Sequence, residues 1–175
     1  MNKIIVTTTI NAPTEATLKF ANMSNWHLIV VGDTKTPHNL YKGLKNITYL
    51  SPEDQEILSK ELSDSIGWRS IRRRNLGYLK AYQMGADVMA TVDDDNIPFE
   101  NWGFPDFEGK FRKIEKGLGF VNIYQLYTSD KIWPRGLPLN LINKDFELSK
   151  KLDFESLKIG IWQGLADEDP DVDAI

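Results

Sequence analysis

Three consecutive aspartates, Asp93, Asp94 and Asp95, follow an apolar run at residues 88–92. The apolar run predicts a buried strand, and such a strand rarely ends in adjacent like charges unless a cation lies opposite them. Carboxylate oxygens are good ligands for hard divalent cations such as Mg²⁺ and Mn²⁺. The chain has no cysteine, which excludes thiolate sites and argues against zinc. The sequence therefore predicts a divalent-metal site at this strand end.

Length and charge limit the classes of function. The chain has 175 residues, of which 41% are hydrophobic, so we expect one sizeable core in a single domain spanning residues 1–175. A net charge of -4 argues against nonspecific binding to nucleic acid or to acidic membranes. No early hydrophobic stretch has the length of a signal or a membrane span. These features predict a soluble cytoplasmic protein without a membrane span.

Strand and helix patterns alternate along the chain. We expect strands at residues 4–10, 26–31, 47–50, 88–92, 119–127 and 159–165, and helices at 13–23, 52–62 and 68–84. Such alternation predicts an α/β fold with a doubly wound, mostly parallel, Rossmann-like sheet flanked by helices. Ligands of such sheets bind at the carboxyl ends of the strands.

The predicted helix at 68–84 contributes further polar candidates. At roughly 100° per residue, one face should pack on the sheet, and it carries three large side chains: Ile71, Tyr78 and Tyr82. Arg73 falls on the opposite side and is expected to be solvated. Asn75 falls within the buried face, and Arg74 lies on its flank. Both side chains therefore need polar partners. Backbone groups or the phosphate of a ligand would serve as these partners. For Arg74, a salt bridge with one of the aspartates is a further option.

These residues resemble the GT-A glycosyltransferases, which bind nucleotide sugars. The resemblance rests on Asp33 at the end of the second strand, the Arg-Asn-Leu-Gly segment at 74–77 and the aspartates at 93–95. It implies an Asp-x-Asp signature that holds Mn²⁺ or Mg²⁺ against the donor diphosphate. Asp95 would be the direct metal ligand, and Asp93, at the same metal site, would contact the ribose or a metal-bound water. A cation of this kind offsets the charge on a departing diphosphate.

The same resemblance implies a binding site for a nucleotide-sugar donor, expected to be a UDP-sugar. The candidate donor-binding residues are Thr7, Thr9, Asp33, Arg74, Asn75, Asp93 and Asp94. Arg74 would contact the diphosphate and Asp33 the base or ribose, although aspartate after glycine is also a common turn residue. Thr7 and Thr9 either line the uridine pocket or serve as β-formers in a core strand.

A narrower resemblance covers most of the chain. The segments at 7–16, 30–37 and 164–175 look like STELLO-type glycosyltransferase-like proteins. The Arg-Gly-Leu-Pro segment at 135–138 is similar to reversibly glycosylated polypeptides, the UDP-arabinopyranose mutases. In those enzymes an arginine of an Arg-Gly-aromatic-Pro segment is tied to reversible self-glycosylation. Arg135 matches that arginine, whereas Leu137 replaces the aromatic residue.

The residues that act on the sugar acceptor are expected near the end of the sequence. Related GT-A enzymes place a carboxylate after a late strand, where it deprotonates the acceptor hydroxyl in an inverting transfer. Asp167, Glu168 and Asp169 occupy that region, and further acceptor-binding elements are expected to be missing. The sequence thus favours a metal-dependent glycosyltransferase acting on an unknown glycan, lipid or protein. The alternatives are a self-glycosylating mutase and a noncatalytic nucleotide-sugar-binding module.

Overall fold

A parallel sheet organises the first part of the protein. The computed structural model describes residues 1–113, 120–142 and 153–164, and the chain divides into two compact units, Met1–Trp102 and Gly103–Ile175. The first unit holds a four-stranded sheet in the order β3-β2-β1-β4. Its strands, all parallel to their neighbours, are β1 (Lys3–Thr9), β2 (His27–Gly32), β3 (Ile47–Leu50) and β4 (Val88–Thr91). The predicted α/β, Rossmann-like fold is confirmed.

Strands β1 and β2 form the centre of the sheet because both are rich in β-branched residues that suit a surface covered on both sides. Successive side chains point to opposite faces, and on both faces they are buried. Ile4 and Val6 of β1 pack with Ile29 and Val31 of β2 in a core cluster that also includes Ala81. The sheet is therefore a two-sided core whose strand ends carry the polar residues.

Three α-helices surround this sheet: α1 (Glu15–Ala21), α2 (Pro52–Ile66) and α3 (Arg74–Gln83). Helix α1 begins after Thr14, whose side chain caps it, so the helix starts slightly later than the sequence predicts. Helix α2 starts as expected, with a reciprocal capping box between Ser51 and Asp54. Gly85, with φ of 71°, follows α3 and allows the chain to leave the helix.

The predicted sheet-facing side of α3 is right for Tyr78, which packs against the core cluster, and wrong for Ile71 and Tyr82. Ile71 and Tyr82 are 65% and 75% exposed, while the buried residues of α3 are Leu76, Gly77 and Ala81. Ile71–Arg73 is a 3₁₀ turn rather than α-helix, and its tighter winding changes the angular position of the residues at this end. The 3₁₀ turn bears on Ile71 alone. Within α3 itself the small residues Gly77 and Ala81 face the sheet, and Tyr82 lies at the solvent side.

Arg73 is buried, which overturns its predicted solvated position. It is 1% exposed, and its guanidinium donates to Gln55 Oε1 at 2.8 Å and to Ser63 Oγ at 3.0 Å. The guanidinium carbon also lies 3.6 Å from the ring centroid of Trp68. Burial lowers the pKa of Arg73, yet an arginine stays charged at neutral pH. The side chain joins α2 to the start of α3.

The second unit contains a two-stranded antiparallel sheet of β5 (Glu108–Lys113) and β6 (Asp153–Lys158). The strand predicted at 119–127 is wrong over its described residues, where Ile123–Leu126 is a 3₁₀ helix capped by the Asn122 side chain. The strand predicted at 159–165 is also wrong over residues 159–164, since pairing ends at β6. Apolar content alone does not provide a pairing partner.

Within the described residues, no helix is both long and apolar enough to cross a membrane.

Gly77 sets how closely α3 approaches the sheet. A Cβ atom at this position would lie 2.4 Å from Val6 Cγ1 and 2.8 Å from Val31 Cγ2. We expect Gly77→Ala to lower the free energy of unfolding by about 1–3 kcal/mol, because overpacking outweighs the helix propensity that alanine adds. Urea denaturation measures the change. Gly103→Ala, where nothing lies within 4 Å, is the control, and equal stability of Gly77→Ala and wild type would contradict the close approach.

Replacing Arg73 should uncouple α2 from α3. We expect Arg73→Met to lower the free energy of unfolding by on the order of 3 kcal/mol, because buried acceptors on Gln55 and Ser63 lose their donors. Arg73→Lys should also destabilise, since one ammonium cannot replace the planar fork. Chemical denaturation of these variants should be compared with the exposed Arg72→Met. A similar loss for Arg72→Met would show that the burial of Arg73 is not the cause.

Candidate active site

The aspartates lie where the strand order of the sheet reverses. Strands β1, β2 and β3 follow one another in one direction, whereas β4 returns to the other side of β1. The Val92 N–H donates to the Val6 carbonyl at 3.2 Å, so the chain after β4 continues alongside the end of β1. Ligands of open α/β sheets bind at such a switch point, beyond the carboxyl ends of the strands. Residues 93–95 therefore occupy the favoured binding edge.

The middle aspartate is held by the segment that follows β1. Thr9 Oγ1 donates to Asp94 Oδ2 at 2.5 Å, and Asn11 Nδ2 donates to the same oxygen at 3.0 Å. The Thr14 hydroxyl donates to the main-chain carbonyl of Asp94. Side chain and backbone of Asp94 are thus both fixed to the β1–α1 connection.

Asp93 forms an ion pair with Arg74. The guanidinium also donates to Thr91 Oγ1 at 3.1 Å and approaches Thr8 Oγ1 at 3.4 Å. Arg74 is largely covered, with a side chain 16% exposed, whereas the Asp93 side chain is 57% exposed. The Nε atom of Arg74 is buried and has no hydrogen-bond partner among the described residues. Arg74 thus forms a salt bridge with an aspartate, one of the partners expected for it, at the edge where the resemblance implies a diphosphate.

Asp33 is buried and has partners on both carboxylate oxygens. Oδ1 accepts from the Thr34 N–H at 2.6 Å, and Oδ2 accepts from the Arg69 N–H at 2.8 Å. The Asp33 N–H donates to Thr36 Oγ1 at 2.8 Å, and that hydroxyl donates to the Thr9 carbonyl at 2.7 Å. Asp33 therefore acts as a turn residue and holds Arg69, whose φ is 58°. Hydrogen bonds through Thr36 connect it to the end of β1.

Two stacked tyrosines support the β1–α1 connection. Tyr41 and Tyr49 stack with ring centroids 4.6 Å apart, and the Tyr41 hydroxyl donates to the Asn11 carbonyl at 2.9 Å. Burial raises the pKa of Tyr41 and raises that of Tyr49 to about 12. Both hydroxyls therefore remain protonated at physiological pH, and the bond from Tyr41 to Asn11 is kept.

The two exposed carboxylates suit a hard cation whose coordination shell is completed by water and a bound ligand. No group of three or more His, Cys, Asp or Glu side chains is placed to hold a metal among residues 1–113, 120–142 and 153–164. Mg²⁺ commonly takes only one or two carboxylates and completes its shell with water and substrate phosphates. Asp95 is exposed and has no hydrogen bond or ion pair within the described part of the chain. With Asp93 two positions away, it fits a metal site of this kind.

The structure describes three of the other predicted site residues and leaves three more outside the described residues. Thr7 is buried, and its hydroxyl reaches only the Thr8 carbonyl, at 3.5 Å. Asn75 donates to the Arg72 carbonyl at 2.8 Å. Arg135 is exposed on a turn of the second unit. The remaining predicted acceptor residues lie outside the described residues: Asp167, Glu168 and Asp169.

Sequence reasoning missed three residues that build this edge: Asn11, Thr14 and Thr36. Thr14 carried a usable signal, since threonine ahead of an amphipathic stretch is a favoured N-cap. Asn11 and Thr36 lie in loops, where partners depend on which strands become neighbours. Their contacts arise only after β1 is placed between β2 and β4.

Comparison with known proteins supports one part of the resemblance. No protein-family model matches the chain. It is 27% identical over 186 aligned residues to two Arabidopsis thaliana proteins, named probable glycosyltransferase STELLO1 and probable glycosyltransferase STELLO2. Each match covers 99% of this chain and 24% of the relative, so the chain spans about a quarter of the length of these relatives. The chain is thus distantly similar, over nearly its whole length, to probable glycosyltransferases.

Proposed function

We propose that this protein is a metal-dependent glycosyltransferase of GT-A type that binds a nucleotide-sugar donor. One observation carries the proposal: three aspartates follow β4 at the switch point of the sheet, with Asp93 in an ion pair, Asp94 tethered to Thr9 and Asp95 without a partner among the described residues. The distant similarity to probable glycosyltransferases over 99% of the chain supports the same class. Switch-point placement favours a nucleotide ligand over a purely structural role for the two exposed carboxylates, Asp93 and Asp95.

Three residues at this edge would bind the donor or its metal: Asp93, Asp95 and Arg74. Asp95 and Asp93 would hold Mg²⁺ or Mn²⁺, and the bound cation would offset the charge that develops on the leaving diphosphate. Arg74, already at this edge through its ion pair with Asp93, would donate to a diphosphate oxygen. Arginine suits phosphate because its donors form a planar fork.

The donor proposed is a UDP-sugar, and the acceptor class is a glycan, lipid or protein. Asp33 and Thr9 border the same edge and would shape the nucleoside side through the loops that they hold. For an inverting transfer, one of Asp167, Glu168 and Asp169 would accept the proton of the acceptor hydroxyl.

A second candidate function is reversible self-glycosylation at Arg135. The observation that favours it is exposure: Arg135 lies on a tight turn in which the Leu137 N–H donates to the Pro134 carbonyl at 3.3 Å, and Gly136 has φ of 93°. A side chain presented on such a turn is accessible to a sugar donor.

The metal role of Asp95 predicts a linked loss of metal and nucleotide binding. Asp95→Ala should weaken UDP binding in the presence of Mn²⁺ by about 10- to 100-fold, and leave metal-free binding nearly unchanged, because the cation bridges carboxylate and diphosphate. Isothermal titration calorimetry with and without Mn²⁺ measures both. Glu100→Ala, which removes an exposed charge nearby, is the control. Equal Mn²⁺-dependent affinity in Asp95→Ala and wild type would exclude Asp95 as a ligand.

Turnover separates an enzyme from a binding module. Release of UDP from UDP-sugars with Mn²⁺ would support the transferase. Tight binding without turnover against a panel of acceptors would instead favour a noncatalytic nucleotide-sugar-binding module.

Self-glycosylation predicts a covalent label at a single arginine. Incubation with radiolabelled UDP-sugar should label the wild-type protein, and Arg135→Met should abolish the label because the side chain then has no nitrogen to accept the sugar. Arg112→Met, at an exposed arginine of the same unit, should keep it. Transfer to an added acceptor with no label on the protein would rule this function out.

A further inference from the structure

We propose that Asp94 is a positioning residue that holds the metal-binding aspartates in place and does not itself contact metal or donor. The inference rests on the proposed function, since it concerns how that site is built. Three adjacent carboxylates repel one another, so a contact that anchors the segment offsets this repulsion. Asp94 has such contacts with the β1–α1 connection.

The contacts of Asp94 are of a kind that fixes a loop. Two neutral donors, Thr9 Oγ1 and Asn11 Nδ2, converge on one carboxylate oxygen, Oδ2. Thr14 adds a third bond, to the main-chain carbonyl. No cation among the described residues pairs with Asp94, in contrast to Asp93 and its ion pair with Arg74. Hydrogen bonds from the protein thus hold Asp94, while its neighbours Asp93 and Asp95 are exposed.

The donors to Asp94 are themselves held in place. Thr9 is buried at the end of β1, and its carbonyl accepts from Thr36 Oγ1 at 2.7 Å. The Asn11 N–H donates to Thr9 Oγ1 at 3.0 Å, while the Asn11 carbonyl accepts from Tyr41. Thr14 is the N-cap of α1. A binding group is accurate only if its supporting shell is rigid, and this shell extends from the sheet to a helix end.

The arrangement connects the two ends of the proposed donor site. Thr36 bonds both the Asp33 N–H and the Thr9 carbonyl, and Thr9 in turn bonds Asp94. The loop that carries Asp93 and Asp95 is therefore joined through Thr9 to the loop that carries Asp33. Partners of this kind that orient metal ligands typically change metal affinity by about 10- to 100-fold when removed.

Substitutions that keep or remove the tether test the role. Asp94→Asn keeps an oxygen that accepts from Thr9 and Asn11, so Mn²⁺-dependent UDP affinity should fall by less than about threefold. Asp94→Ala and Thr9→Val should each lower it by about 10- to 100-fold, and the double variant should lose little more, because both single variants remove the hydrogen bond between Thr9 and Asp94. Equal losses in Asp94→Asn and Asp94→Ala would show that the charge contacts the ligand. Unchanged affinity in Asp94→Ala would also overturn the proposal.

Hydrogen exchange on the ligand-free protein provides an independent measurement. The N–H groups of Val92 and Asn96 bond the carbonyls of Val6 and Asp93. They should exchange faster in Asp94→Ala and Thr9→Val than in wild type, and at the wild-type rate in Asp94→Asn and Glu100→Ala. Unchanged exchange in Asp94→Ala would refute the positioning role. Failure of the wild-type protein to bind Mn²⁺ and UDP would refute the proposed function alone, because exchange would still decide whether Asp94 holds the loop.

Discussion

Parallel pairing of β1 with β4 is the constraint on which the candidate site depends. Val6 lies in register with Thr91, and the Val92 N–H continues the pairing. Because the two strands run in the same direction, the loops that follow them leave from the same edge. That geometry brings Thr9 to Asp94 and gives a cluster of like charges a set of neutral donors. An antiparallel β4 would have placed the aspartates at the opposite edge.

Helix α3 brings the positive charge to this edge. Gly77 lets the helix lie against Val6 and Val31, and Arg73 fixes its first turn to α2 through Gln55 and other buried acceptors. Arg74, the next residue, then reaches Asp93 across β1 and β4. Adjacent arginines thus have different roles: one stabilises the contact between helices, and the other faces the site.

Local sequence signals predicted the parts that local physics controls. β-branched runs form β1 and β2, the Ser51 capping box begins α2, and the aspartates follow the predicted strand. Prediction failed where packing decides. The buried face of α3 was partly misassigned because small residues, Gly77 and Ala81, face the sheet in place of large ones. In the second unit the apolar stretches at 120–127 and 159–164 did not form strands, because β5 pairs with β6.

The sequence by itself determined an α/β fold and a triplet of carboxylates at a strand end, since periodicity and residue type act over a few neighbours. Only the tertiary structure decided the separate roles of the three. Asp93 pairs with Arg74, Asp94 is tied to Thr9, and Asp95 has no partner among the described residues. Those partners lie far away along the chain, and they meet only when β1 is packed between β2 and β4.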